Sequence, residues 1–170
     1  MSITIADQYY LKALDDYGYC YNEVMENLNY ALSYDSEHAD ANYLMGKLYM
    51  EQFQKYEQAE EHLVTSMSID PSNVKTCESM IWLFIRTHRF KEALKLIEFT
   101  LKLKGVLIPE ILRLKALTYE LMKQFDMARI WLINAIQESY DDSYIEFLQA
   151  ELKRIEMKQQ MIQGVRYHLE

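Results

Sequence analysis

The sequence predicts an all-α protein built of four helix-turn-helix units and a closing C-terminal helix. Helix-forming residues fill its long segments, while Gly (four) and Pro (two) are too scarce for the many turns of an all-β chain. Apolar residues recur three and four apart, which is the spacing of one helix face. A single pattern also returns at a nearly constant interval, the mark of an internal repeat.

The pattern begins with an aromatic followed three residues later by a small apolar residue: Tyr21 and Val24, Tyr56 and Ala59, Phe90 and Ala93, Phe125 and Ala128. A large aliphatic comes next (Leu28, Leu63, Ile97, Leu132), then a small residue (Ala31, Ser66, Thr100, Ala135). All four columns step by 35, 34 and 35 residues. Within each unit the last three fall four and then three apart, so they share one face of a second helix. Small residues there let a neighbouring helix approach closely, and the aliphatic fills the space between.

An amphipathic stretch precedes each aromatic and supplies the first helix of each unit. The expected first helices span about 5–16, 40–52, 74–87 and 109–122, and the second helices about 20–34, 56–68, 90–103 and 125–138. Punctuation agrees. Asp70-Pro71-Ser72-Asn73 ends one unit, Gly105 follows a Lys-rich helix end, and Pro109 opens the next helix where its missing N–H costs nothing. The 170 residues are read as a single domain, with units over about 5–38, 39–73, 74–108 and 109–142. A last helix over 143–163 carries Ile145, Leu148, Leu152, Ile155 and Ile162 at three-four spacing. It suits a cap over the last unit, with the part beyond Ile155 projecting past the array; the same spacing also suits a seam between two copies. Leu169-Glu170 look like the scar of a cloning site before a purification tag and are set aside, which leaves the natural C-terminus open.

Composition narrows the function. The net charge of -8 argues against nucleic acid, whose phosphates need a basic surface. Residues 1–73 hold thirteen acids and three bases, whereas 86–104 hold six bases and two acids. No apolar run approaches a membrane span, and the N-terminus lacks the features of a signal peptide, so a cytoplasmic protein without membrane insertion is expected. Cys20 and Cys77 are far apart and fit reduced thiols. The histidines at 38, 62, 88 and 168 never pair at metal-ligand spacing, and the glycines at 18, 46, 105 and 164 are isolated, so no phosphate loop forms. Adjacent acids such as Asp15-Asp16 and Glu60-Glu61 diverge by about 100° on a helix. The expectation is a non-enzyme with no metal and no cofactor.

The units resemble the tetratricopeptide repeat, a 34-residue helix-turn-helix. The second reads Asn42-x2-Met45-Gly46-x2-Tyr49, then Ala59-x3-Leu63 and Pro71; the third reads Cys77-x2-Met80-Ile81-x2-Phe84, then Ala93-x3-Ile97; the fourth reads Leu112-x2-Lys115-Ala116-x2-Tyr119, then Ala128-x3-Leu132. The first keeps its second helix and is degenerate in the opening one. The family's tryptophan is replaced in every unit, and only Gly46 keeps the glycine. The resemblance, over about residues 5–140, implies a right-handed superhelix whose concave groove holds a protein or peptide.

In that family the first helices line the groove. Carried over, this implies Tyr9, Tyr10 and Ala13 from the first unit, and Tyr43, Leu44, Lys47 and Met50 from the second. Glu78, Ser79, Trp82 and Arg86 come from the third, and Arg113, Leu114 and Leu117 from the fourth. Such a groove suits a peptide with apolar residues and at least one carboxylate. The chaperone-tail clamp known in one subgroup is not expected, because only Lys75 of its set has the right chemistry. Seven tyrosines by residue 34 leave open whether the first unit is interface or core. Two other roles stay open: a small secretion chaperone, and self-assembly as a homodimer through the C-terminal helix.

Overall fold

The computed structural model describes residues 3–167, with side chains through residue 162. Leu169-Glu170 and His168 lie outside the described residues. Among the described residues nine α-helices follow one another: α1 (Ile5–Asp16), α2 (Tyr21–Tyr34), α3 (Ala39–Leu48), α4 (Tyr56–Ile69), α5 (Val74–Arg86), α6 (Phe90–Thr100), α7 (Ile108–Leu121), α8 (Phe125–Gln137) and α9 (Asp142–Tyr167). No strand occurs among them. Contacts gather the helices into two compact units, Met1–Thr87 and His88–Glu170.

Every member of the three inward columns is sealed from solvent. Val24, Leu28, Ala31, Ala59, Leu63, Ser66, Ala93, Ile97, Thr100, Ala128, Leu132 and Ala135 are each at most 1% exposed. The two polar members bring their own hydrogen bonds, as buried hydroxyls must. Ser66 Oγ lies 3.1 Å from Thr76 Oγ1, and Thr100 Oγ1 donates to the Leu96 carbonyl at 2.8 Å.

In the first unit α1 packs on α2, α3 on α4, and α4 on α5. A core forms from Ala13, Val24, Leu28, Ala31, Ala41, Leu44, Met45 and Leu48, with Tyr9, Tyr10, Tyr17, Tyr21, Tyr43 and Tyr49 packed around it. Gly46 makes the α3–α4 contact possible. A Cβ there would stand 2.7 Å from Leu63 Cγ and 3.0 Å from the Ala59 carbonyl oxygen. Where the related motif has tryptophan, Asn42 is buried instead. Its amide donates to the Ser36 carbonyl at 2.9 Å and the His38 carbonyl at 3.1 Å. Its oxygen sits 2.9 Å from His62 Nδ1, whose ring stacks on Tyr49. A hydrogen-bonded amide thus stands at the position where the related motif has an indole.

The second unit is built likewise, with α7 on α8 and α8 on α9. Leu148 and Ile155 of α9 join Leu112, Ala116, Ala128, Leu132 and Ala135 in one core. Polar links extend past Ile155, since Lys158 Nζ donates to Glu120 at 2.7 Å and Gln159 to Asp126 at 2.8 Å. The part of α9 expected to project is therefore tethered to α7 and α8 at least as far as Gln159. Met157, Met161 and Ile162 face solvent.

Helix ends follow local chemistry. Thr4 and Asp7 form a capping box on α1. His38 Nδ1 accepts from the Ala41 N–H at 3.1 Å at the start of α3, which leaves the proton on Nε2 to donate to Asp7 at 3.1 Å. Asn73 caps α5. Gln54, His88 and Lys123 stand at φ 54°, 58° and 60° between the two helices of successive repeats, and Gly18 at φ 98° takes the equivalent turn in the first.

Two differences from the expected helices have a physical cause. The first helix of the second repeat is not α-helical to residue 52; Tyr49–Phe53 forms a π turn. Asn42 to Ala59 is one residue longer than Cys77 to Ala93, and the wider π turn absorbs the insertion. Helix α6 ends at Thr100 rather than near 103, where the chain passes through turns to Gly105 at φ 76°.

Candidate binding face on the first helices

The first helices of the first unit, α1, α3 and α5, are neighbours. The side chains between them form a row of aromatic and charged groups. The Tyr17 hydroxyl donates to Glu51 at 3.1 Å. Lys47 Nζ lies 5.3 Å from the centre of the Tyr17 ring, a cation–π contact. Tyr43 hydrogen-bonds to the Ser79 side chain and feels the charges of Glu51 and Glu78. Tyr10 packs on His38 at 5.3 Å and lies near Asp40. At the far end Arg86 donates to the Met50 carbonyl at 3.2 Å and stands 5.9 Å from the Trp82 ring.

Burial and acids together set the electrostatics. Tyr17 is held protonated well above the usual phenol range, by burial first and by Glu51 second. Tyr43 is also raised, mainly by burial, although the bond with Ser79 opposes the rise. The phenols are therefore hydrogen-bonding groups and not acids at neutral pH. The row offers flat apolar rings, hydroxyl donors, and both signs of charge.

The residues expected to line a groove divide by helix rotation. Tyr43, Lys47, Glu78 and Trp82 are half-buried on this face, and Arg86 is exposed at its end. Three adjacent pairs were expected to line it together, yet only the first of each pair keeps exposed surface. Leu44 beside Tyr43, Ser79 beside Glu78, and Leu114 beside Arg113 are all buried. Neighbours on a helix point about 100° apart, so the second of each pair turns into the core. Met50 and Ala13 are buried as well. At Met50 the π turn shifts the register. Tyr9 turns the other way and stacks on Tyr30 at 5.1 Å and Tyr34 at 5.9 Å, both on α2.

In the second unit Leu117 is half-buried. Arg113 is bound within the chain and is not a free cation for a guest. It pairs with Glu110 at 2.6 Å and Glu151 at 3.8 Å, and stands 5.7 Å from the Phe147 ring. Glu110 also accepts from the Tyr144 hydroxyl. Close by, buried Lys115 pairs with Glu98 and lies 3.2 Å from the centre of the Trp131 ring.

Tyr17 and Glu51 were absent from the expected groove. Their signal is a separation of 34 residues, one repeat, which brings equivalent points of successive first helices together. No metal-binding group of three or more His, Cys, Asp or Glu occurs among the described residues. No described helix is long and apolar enough to cross a membrane.

No family model and no curated protein matches the chain. Among solved structures it is similar to PilF of Pseudomonas aeruginosa, with 17% identity and a TM-score of 0.74 over 90% of this chain and 69% of that one. It is also similar to TTC0263, a thermophilic TPR protein of Thermus thermophilus (15% identity, TM-score 0.71, 89% and 81% covered). The MamA RS-1 ArsTM double mutant matches at 11% identity and a TM-score of 0.70, with 99% of each chain covered. Paired helices at a 34–35-residue period, sealed column residues and these likenesses agree: the chain has the all-α fold of the tetratricopeptide repeat.

Proposed function

We propose that this protein is a non-catalytic scaffold that binds a peptide or protein segment along the first-helix face of α1, α3 and α5. The observation that carries this reading is the row of half-buried Tyr10, Tyr17, Tyr43 and Trp82, interleaved with Lys47 and Arg86. Aromatic and arginine side chains are the usual energetic anchors of interfaces. Their rings are already partly ordered by neighbours, so little conformational entropy is lost when a guest covers them. The suited guest is an extended or helical segment with apolar side chains against Tyr43 and Trp82 and a carboxylate toward Arg86.

The test is affinity capture from the native cell with identification by mass spectrometry, followed by binding of the identified segment to variants. Trp82→Ala and Arg86→Glu together should weaken capture at least tenfold, the scale of losing one anchor residue, with the melting curve still cooperative. Undiminished capture by a folded double variant would remove this face from consideration. Arg113 is excluded from the test, because its ion pair with Glu151 links α7 to α9.

A further inference from the structure

Within the second unit, the loop between α6 and α7 and the loop between α8 and α9 border an open cleft of about 980 Å³. None of the helices of the proposed binding face lines it. Leu107 is 70% exposed and Tyr140 is 96% exposed, and both line the cleft together with Ile108 and Phe147. Apolar groups this open gain free energy when covered, at about 25 cal/mol per Å². A contiguous patch of them marks an interaction site, unlike the same residues scattered singly.

The charge lining the cleft is of one sign. Glu110, Glu138 and Asp141 contribute carboxylates, and among the described residues no lysine or arginine lines it. Lys102 and Lys104 lie earlier in the α6–α7 loop, outside the lining. Burial pushes Glu110 up, but hydrogen bonds from Arg113 and Tyr144 outweigh it and keep the carboxyl below its ordinary value. Asp141 is lowered by hydrogen bonds from the Ser143 side chain and the Tyr144 N–H at the start of α9. Both therefore stay ionised well below neutral pH, and exposed Glu138 adds a third acid at the rim.

The geometry points to a second docking site, distinct from the first-helix face, for a segment of a partner protein that carries a large apolar side chain next to lysine or arginine. The apolar group covers Leu107, Tyr140 and Phe147, and the cation faces Glu138 and Asp141. Opposite charge at the rim sets specificity and encounter rate more than affinity, and an acidic segment is repelled.

The probe is a fluorescein-labelled peptide alternating phenylalanine and arginine, with a control carrying glutamate for arginine, titrated with the full chain by fluorescence anisotropy. The basic peptide should bind at least tenfold more tightly than the acidic one. Leu107→Ser with Tyr140→Ser should weaken it about tenfold, and Glu138→Lys should narrow the gap between the two peptides. Trp82→Ala should leave this binding unchanged, which separates its failure from that of the first-helix face. Leu107, Tyr140 and Glu138 are exposed, so the variants keep the fold, checked by circular dichroism. Equal binding of both peptides, binding of neither, or indifference to the cleft variants would overturn the assignment. So would a concentration-dependent dimer of the chain alone that Leu107→Ser abolishes, which would give the cleft to a second copy.

Discussion

The Tyr17 hydroxyl and the Glu51 carboxylate, 3.1 Å apart, are separated by 34 residues in the chain. The same separation recurs between Glu120 and Arg154, and between Glu110 and Tyr144. One repeat of sequence thus becomes one lateral step from first helix to first helix within each unit. Polar pairs fix that step where the aliphatic columns fix the depth.

Tyr17→Phe removes the hydroxyl and leaves the ring under Lys47. The expected loss is about 0.5–1.5 kcal/mol, the net worth of one hydrogen bond. Because Tyr17 is raised in the folded state, its contribution is complete below the free phenol value near 10 and fades as pH rises above it. Urea unfolding at pH 7 and pH 11 should show a smaller alkaline loss for the variant than for the parent.

Glu120 is nearly buried and accepts from Arg154 at 2.6 Å and Lys158 at 2.7 Å. Burial alone would raise its pKa, yet the hydrogen bonds from these two cations carry it below 4.5. The stability this gives is present above about pH 4.5 and is lost as pH falls through the lowered value. Glu120→Gln should cost about 1–3 kcal/mol at pH 7. The difference from the parent should shrink between pH 5 and pH 3; a gap that stays constant across that range would refute the ion-pair account.

Gly46→Ala reverses an ordinary sign. In an open helix the change stabilises by about 1 kcal/mol. Here the added Cβ stands 2.7 Å from Leu63 Cγ, closer than real Cβ atoms come, and 3.0 Å from the Ala59 carbonyl oxygen, a tight contact with backbone that cannot swing away. A net loss of roughly 1–3 kcal/mol is expected from overpacking. Thermal melts decide it, and a rise in Tm would mean that α3 and α4 pack less closely than described.

Lys123→Gly is expected to stabilise. Lys123 holds φ at 60° in the turn between α7 and α8. Glycine adopts that conformation without the Cβ penalty, so a gain of about 0.5–1 kcal/mol should appear in the urea midpoint. Lys153→Gly, in the body of α9, is the control and should lose about 1 kcal/mol.

Much of the fold was legible because repetition multiplies a weak signal. One aromatic-to-small pair means little, but four copies at 35, 34 and 35 residues locate the second helices and their inward faces. Asn73, Gly105 and Pro109 punctuate the chain by rules that act within a few residues, so their roles can be read locally. The exposed surface of the first helices was legible only in part. Tyr43, Lys47, Glu78 and Trp82 follow from helix period, whereas Leu44, Ser79 and Leu114 required knowing the rotation of each helix to better than one residue.

The sequence by itself determined the helices, their pairing and the inward columns of the second helices, because periodicity and local turn chemistry are properties of neighbours along the chain. Tertiary structure alone decided the rest. The π turn at Tyr49–Phe53 buries Met50 and brings Glu51 to Tyr17. Helix α9 binds Arg113 through Glu151 and Phe147. The loops after α6 and α8 bring Leu107 and Tyr140 to one cleft. Each depends on the distance between groups tens of residues apart, which packing sets and linear spacing does not encode.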